Sequence, residues 1–328
     1  MKVSVGRTWV AVALAVAVTW PAVAAAQATR YPVKPIRLIV PLAPAGTTDI
    51  VARLVAQKYN EAWGQPVIVD NRPGAGTTIG SGLVARAAPD GYTLLFASIS
   101  LATSVSLYRN LPYDPVRDFA PVGPVGQSFY VLAVHPSVPV NSAQELIAMA
   151  KAKPKQLAYA SAGTGTITHL TVELFMSHVK IDMLHVPFKG GAPALVAFLG
   201  GQVHAIFNPI AEILPQVRAG GRVRTLAVTS PKRVPELPDT PTVAESILPG
   251  FQVTTWSGLY VPAGTPRGIV DQLNAELNRM LQQPEVRVRL QSNGLAPVGG
   301  TPAALGDYLK SEIVRWAKVV KEAGIRPE

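Results

Sequence analysis

The chain predicts an α/β fold on three observations. Short apolar runs of strand length alternate with amphipathic segments of helix length. Most of the 30 prolines and 27 glycines sit at the junctions between them. Two Gly/Thr/Ala corners, "IRLIVPLAPAGTTDIVARL" and "QLAYASAGTGTITHLTVEL", repeat the order strand, corner, helix. Alternation of this kind implies mostly parallel sheets flanked by helices, and ligands of such sheets bind outside the carboxyl ends of the strands. Two corners from two domains would face each other across one cleft.

Taken in order, "IRLIVPL" reads as a buried strand and "TDIVARLVAQKYNEAWG" as a helix with Ile50, Leu54 and Val55 on one face, stopped near Gly64. "PVIVDN" and "GYTLLFAS" are further strands, the latter announced by the turn "PDG". "YVLAVHP" and "QLAYAS" continue the pattern around "SAQELIAMAKAKP", a helix with Ser142 as cap and Pro154 as stop. "MLHVPF", "AIFNP" and "RTLAVTS" are strands separated by "GAPALVAFLGGQ" and "EILPQVRAGG". The carboxyl end reads as helical from Arg267 onward, and Trp63, Trp256 and Trp316 as core or helix-face residues.

Ahead of these elements, Lys2 and Arg7 precede the apolar run "WVAVALAVAVTW", which exits through "PAVAAAQA". This is the three-part layout of a secretory signal peptide, so residues 1–28 are expected to be removed, with cleavage after Ala28 and Ala26 as the second choice. No later stretch approaches the roughly 20 apolar residues of a spanning helix. The net charge of +10 is diffuse, without a run of five like charges or basic-aromatic interleaving, which argues against a nucleic-acid partner. The chain has no cysteine, which removes disulfides, thiol catalysis and thiolate metal sites. An exported, cysteine-free chain of this size points to a bacterial periplasm.

The corners carry the functional signal. A helix start leaves backbone N–H groups without intrahelical partners and concentrates the positive end of the helix dipole. Small residues let an anion approach them, and threonine hydroxyls add donors. Gly46, Thr47 and Thr48, and likewise Gly163, Thr164, Gly165 and Thr166, therefore suit a carboxylate or phosphate. Either corner alone is more often a turn and cap; the matched pair favours a ligand. A nucleotide is disfavoured because neither G-x-G completes G-x-G-x-x-G and no P-loop occurs. No G-x-S-x-G, no H-E-x-x-H and no S-x-x-K set of the kind that carries hydrolase chemistry is present, so no catalytic residue, metal site or cofactor is assigned. His169 and Asp49 fall about one turn into the corner helices. Asp49 is read as balancing the dipole and tying its loop, and His169 as either donating to the ligand or packing. Lys189 and Arg72, near Gly-rich turns, read as surface or loop-tying residues.

Several stretches, among them "VPLAPAGTTDIVARL", "GQPVIVDNRPGAGTTIG", "YASAGTGTITHLTVELF", "HVPFKGGAPAL" and "LAVTSPKRVPELPDTPTVAES", resemble the Bug-type substrate-binding proteins of tripartite tricarboxylate transporters. The likeness covers almost all of the chain beyond the leader. It implies a two-lobed periplasmic binding fold, type II-like, closing on a small carboxylate in a cleft between lobes. It further implies a first loop of Pro44, Ala45, Gly46, Thr47, Thr48 and Asp49. The second loop runs Ser161, Ala162, Gly163, Thr164, Gly165 and Thr166, with His169, and Ser98 is a further cleft position. Ala45 stands where the family commonly has Gly, which should stiffen the loop. Asn208 stands where it often has Asp. Residue 208 either meets the ligand or caps the end of "HAIF"; if it meets the ligand, the missing charge predicts an acid without an amino group. The expected lobes are 29–128 plus 253–328, and 129–252.

The function so implied is a monomeric, non-catalytic periplasmic receptor. It would take up a di- or tricarboxylate or an aromatic acid and deliver it to membrane permease subunits. Ligand presentation to a signalling receptor needs the same clamp. A secreted hydrolase using His169 with a threonine hydroxyl lacks its nucleophile motif.

Overall fold

The structure, a computed structural model, describes residue 1, residues 31–322 and residues 324–325. Apart from Met1, the expected signal peptide lies outside the described residues. Every element below belongs to the unit formed by residues 32–328.

The chain opens with β1 (Ile36–Val40), α1 (Thr47–Trp63), β2 (Val67–Asn71), α2 (Thr78–Ala85), β3 (Thr93–Ser98) and α3 (Ser100–Leu107). The long β4 (Phe119–Val134) follows, then α4 (Ala143–Ala152), β5 (Ala158–Ser161), α5 (Ile167–Val179), β6 (Leu184–Pro187), α6 (Gly191–Leu199), β7 (Ala205–Pro209), α7 (Ile210–Arg218), β8 (Arg224–Val228) and α8 (Val243–Ser246). The chain returns through β9 (Thr254–Pro262) and closes with α9 (Arg267–Leu281), α10 (Pro284–Ser292), β10 (Ala296–Pro297) and α11 (Pro302–Glu322).

The strands lie in the order β2-β1-β3-β9-β4-β7-β5-β6, with β8 and β10 each paired to β4. Pairing is parallel in β2-β1-β3 and in β6-β5-β7. Between these two parallel blocks run β4 and β9, antiparallel to each other and to their neighbours. Phe119–Phe129 of β4 pairs with β9, while Tyr130–Val134 pairs with β7 and β8. One strand thus serves both blocks, and the break falls at Phe129/Tyr130. A buried threonine marks it: Thr229 Oγ1 accepts from the Tyr130 amide at 2.9 Å and donates to the Val253 carbonyl at 2.6 Å.

Continuous apolar runs form the parallel strands because helices cover both faces: Ile36, Leu38, Ile39 and Val40 are all fully buried. In α1 the inward stripe is Val51, Val55 and Tyr59 with Ala52 and Leu54 beside it. Ile50, expected on that face, lies to the side of it and is exposed. The helix ends at Gly64, whose φ of 64° is the left-handed cap glycine tolerates. As expected, Ser142 caps α4, accepting from the Glu145 amide at 3.1 Å. Trp256 and Trp316 are buried.

Candidate functional site

At the carboxyl ends of the parallel strands lies a cavity of about 180 Å³. Residues from the starts of α1, α5, α6 and α7 line it, among them Thr47, Thr48, Ile167, Thr168, Gly191 and Glu212. In none of these four helices does a first-turn amide donate to an N-cap side chain. Elsewhere α4 is capped by Ser142 and α8 by a Thr242–Glu245 capping box, while α2, α3, α9 and α10 also lack a side-chain cap. First-turn amides left uncapped beside a cavity are donors for something negative. No Lys, Arg or His is among the lining residues.

The first corner is tied down by Asp49. Its carboxylate accepts from the Ala45 amide at 3.0 Å, from Arg53 Nε at 2.9 Å and from Asn71 Nδ2 at 3.0 Å. Burial works to raise its pKa, but these bonds prevail and hold it below the usual carboxylate range. Asp49 therefore ties the loop, as the sequence suggested, and is not among the lining residues. Ala45 has φ of 69°, the left-handed region that costs a Cβ-bearing residue roughly 1–2 kcal/mol. That geometry is the physical ground for a glycine at this place.

The second corner satisfies most of its own amides. Gly163 N–H donates to Ser161 Oγ at 3.1 Å, Ala162 N–H to Thr168 Oγ1 at 2.9 Å, and Gly165 N–H to His169 Nδ1 at 3.1 Å. His169 is buried and stacks on His185, whose Nε2 meets Ser161 Oγ at 2.7 Å. Burial lowers both imidazoles to a pKa of about 4, so they are neutral at pH 7, and His185 adds to the effect on His169. His169 thus braces the loop from behind, through an accepted bond.

A carboxylate that sequence reasoning did not single out sits in the cavity. Glu212, in the first turn of α7, accepts from Asn208 Nδ2 at 2.8 Å. The Thr47 hydroxyl and amide face the same carboxyl group and work to lower its pKa. Burial raises its pKa, and those donors offset the rise in part. Asn208 is buried and lines the cavity, but its amide is committed to Glu212. The expectation of an amino-free ligand rested on a site left uncharged at position 208. Glu212 restores a carboxylate there, so that ground falls away.

The crossing strands form the floor. Ser98 of β3 lies opposite Ser257 of β9, and Ser128 of β4 opposite Thr255. Ser128 Oγ, Trp256 Nε1 and Ser257 Oγ have no hydrogen-bond partner among the described residues, and all three residues line the cavity. Buried polar groups are rarely left so.

Of the residues named from the sequence, Pro44, Gly46, Thr47, Thr48, Ser98, Ala162, Thr166 and Asn208 line the cavity together. Ala45, Asp49, Ser161, Gly163, Thr164, Gly165 and His169 are not among the lining residues. Lys189 and Arg72 do not line it either. Missed altogether were Glu212, Tyr130, the Gly190–Gly191 start of α6 and Ser128, Thr255 and Ser257 of the floor. Only "FKGGAP" carried a visible signal, a glycine pair between a strand and a helix. Among the described residues no group of three His, Asp or Glu side chains is placed to hold a metal ion, and no helix is long and apolar enough to cross a membrane.

Residues 51–325 match the family model described as tripartite tricarboxylate transporter family receptor. The chain is 39% identical over 320 residues to a UPF0065 protein of the tcbD-tcbE intergenic region of Pseudomonas sp. strain P51, covering 97% of this chain and 95% of that one. It is 39% identical over 298 residues to protein BugT of Bordetella pertussis, covering 90% and 91%. Among solved structures it is similar to R. palustris Rpa4515 with adipate (TM-score 0.87, 37% identity, 91% of this chain and 100% of that one). It is also similar to the periplasmic binding protein BugD (0.85, 36%, 91% and 100%). A third likeness is to MatC from Rhodopseudomonas palustris with bound malate (0.83, 36%, 88% and 100%). With a fold whose two strand blocks meet over one cavity, the chain belongs to the tripartite tricarboxylate transporter receptor family, as a Bug-type periplasmic binding protein of two-lobed fold.

Proposed function

We propose that this protein captures a small organic carboxylate in the periplasm and delivers it to a membrane permease of the tripartite tricarboxylate type, without chemistry on the ligand. The observation that carries the reading is the convergence of four helix starts, none capped by its own N-cap side chain, on one cavity with no lysine or arginine in its lining. Neutral donors and helix dipoles hold an anion while letting it leave again. Adipate and malate in the two similar R. palustris proteins support a dicarboxylate of that size. The proposed lobes are 29–128 with 253–328, and 129–252. The split of β4 between two sets of partners at Phe129/Tyr130 supports them. Export through cleavage of residues 1–28, and action as a monomer, belong to the same proposal. The hydrolase alternative loses its base, because His169 Nδ1 accepts from a backbone amide behind the loop.

A thermal-shift screen of organic acids tests the reading. At a hundred times its Kd a true ligand stabilises the fold by about 2.7 kcal/mol. A screen of di-, tri- and aromatic carboxylates in which none shifts the melting curve overturns it.

A further inference from the structure

Among the described residues, Glu212 is the one side chain lining the cavity that carries a formal charge when ionised, and that charge has the sign of the expected ligand. Its surroundings explain how it stays there. The Asn208 amide donates to it at 2.8 Å, and the Thr47 hydroxyl and amide face it and work to lower its pKa. On its other side it lies against the start of α6, where a Cβ built on Gly191 would come within 3.1 Å of Glu212 Oε2. A carboxylate supplied by α7 therefore already faces Thr47 at the start of α1, the first of the two corners. These donors favour its ionised form and offset in part the rise that burial causes.

Two consequences follow for the ligand. Its carboxylate is pushed away from Thr47, toward the start of α5 and the floor, where Trp256 Nε1, Ser128 Oγ and Ser257 Oγ lack partners. The part of the ligand that faces Glu212 meets a negative acceptor in a closed space. A bare methylene there leaves the carboxylate unanswered, a second carboxylate is repelled, and a donor is attracted.

We propose that Glu212 is the specificity-determining residue of this cleft, selecting acids that carry a hydrogen-bond donor, a hydroxyl or an ammonium group, beside the carboxylate. The inference rests on the carboxylate-receptor reading and names the ligand class within it. Residue 208 and residue 212 act as one unit: the asparagine orients the carboxylate that the cleft presents.

The test is calorimetric titration of the wild type and of Glu212→Gln with matched acids: succinate, malate and aspartate at four carbons, adipate, 2-hydroxyadipate and 2-aminoadipate at six. In the wild type the best donor-bearing acid should bind at least about tenfold more tightly than its unsubstituted parent. A lead for the amino acid identifies an ammonium partner and a lead for the hydroxy acid a hydroxyl partner; either supports the proposal. Glu212→Gln, which keeps the shape and alters only charge and acceptor capacity, should narrow that ratio and improve the unsubstituted acid. Melting curves of the variant report its fold. Parent acids that bind as well as their substituted forms overturn the proposal, as does a ratio unchanged in Glu212→Gln, and both leave the receptor reading standing. Failure of every acid to bind overturns the receptor reading and this inference with it.

Discussion

His169 and His185 stack face to face, ring centroids 4.1 Å apart, and neither is among the cavity-lining residues. One accepts from the Gly165 amide and the other meets Ser161 Oγ, so the pair braces the second corner from two directions. Tyr159 stacks on His185 at 4.9 Å, and Glu173 Oε1 lies 3.7 Å from His169 Nε2.

The pair predicts a pH dependence of stability. Burial depresses both imidazoles from 6.5 to about 4 in the folded protein. The stability they contribute is therefore present above pH 6.5 and is lost as pH falls through the window from 6.5 to about 4, because the unfolded chain takes up protons first. Each unit of difference is worth about 1.4 kcal/mol. Denaturant midpoints measured from pH 7 to pH 4.5 should fall steadily, and His169→Gln, which can still accept from Gly165, should flatten the slope. A wild-type profile that stays level contradicts the buried, neutral assignment.

The two corner glycines should respond differently to a side chain. Gly46 lines the cavity, and a Cβ there meets nothing within 4 Å. Gly46→Val should weaken ligand binding by about tenfold or more while the melting temperature stays near that of the wild type. Gly163 has φ of 130°, and its Cβ would meet the Phe188 carbonyl at 3.1 Å. Gly163→Val should therefore lower stability by at least about 1 kcal/mol through strain. Equal melting temperatures for the two variants would show that this distinction is mistaken.

Ala45 offers the opposite experiment. Its φ of 69° is a conformation glycine adopts without steric penalty. Ala45→Gly should stabilise the protein by up to about 1 kcal/mol, the relief of strain exceeding the added freedom of the unfolded chain. A loss of stability would mean that the loop takes another backbone path.

Thr229 joins the two crossings between the strand blocks. Replacing it by valine keeps its shape and removes the hydroxyl, stranding the Tyr130 amide and the Val253 carbonyl in a buried place. Each stranded group costs about 1–3 kcal/mol. Thr229→Val should be destabilised by that order in urea unfolding, and an unchanged midpoint would remove Thr229 from the account.

Sequence legibility followed burial on two faces. Strands such as Ile36–Val40 and Ala205–Pro209 stood out because helices cover both sides and the apolar run is unbroken. The crossing strands were harder. Phe119–Phe129 reads "FAPVGPVGQSF", where proline and glycine suggest a loop, yet Pro121/Gly123 and Pro124/Gly126 sit at irregularities of the ladder that accommodate them. Because β4 and β9 were not recognised in full, the floor residues they carry were not recognised either. Glu212 was hidden for another reason. "EILPQVR" reads as an amphipathic helix, and nothing local tells that its first carboxylate reaches Thr47 of a distant element. His169 was visible as a residue of the corner, but its role depends on His185, which arrives from β6.

The central claim, that a carboxylate is held by neutral donors and helix starts without a metal ion, is tested most directly by calorimetry at pH 7 in EDTA. The titrants are the tightest acid from the screen and its uncharged primary amide. The account predicts one-to-one binding of the acid, undiminished by the chelator, and a loss of at least about tenfold for the amide. Equal binding of the amide, or binding of the acid that returns only when a divalent ion is restored, would contradict it.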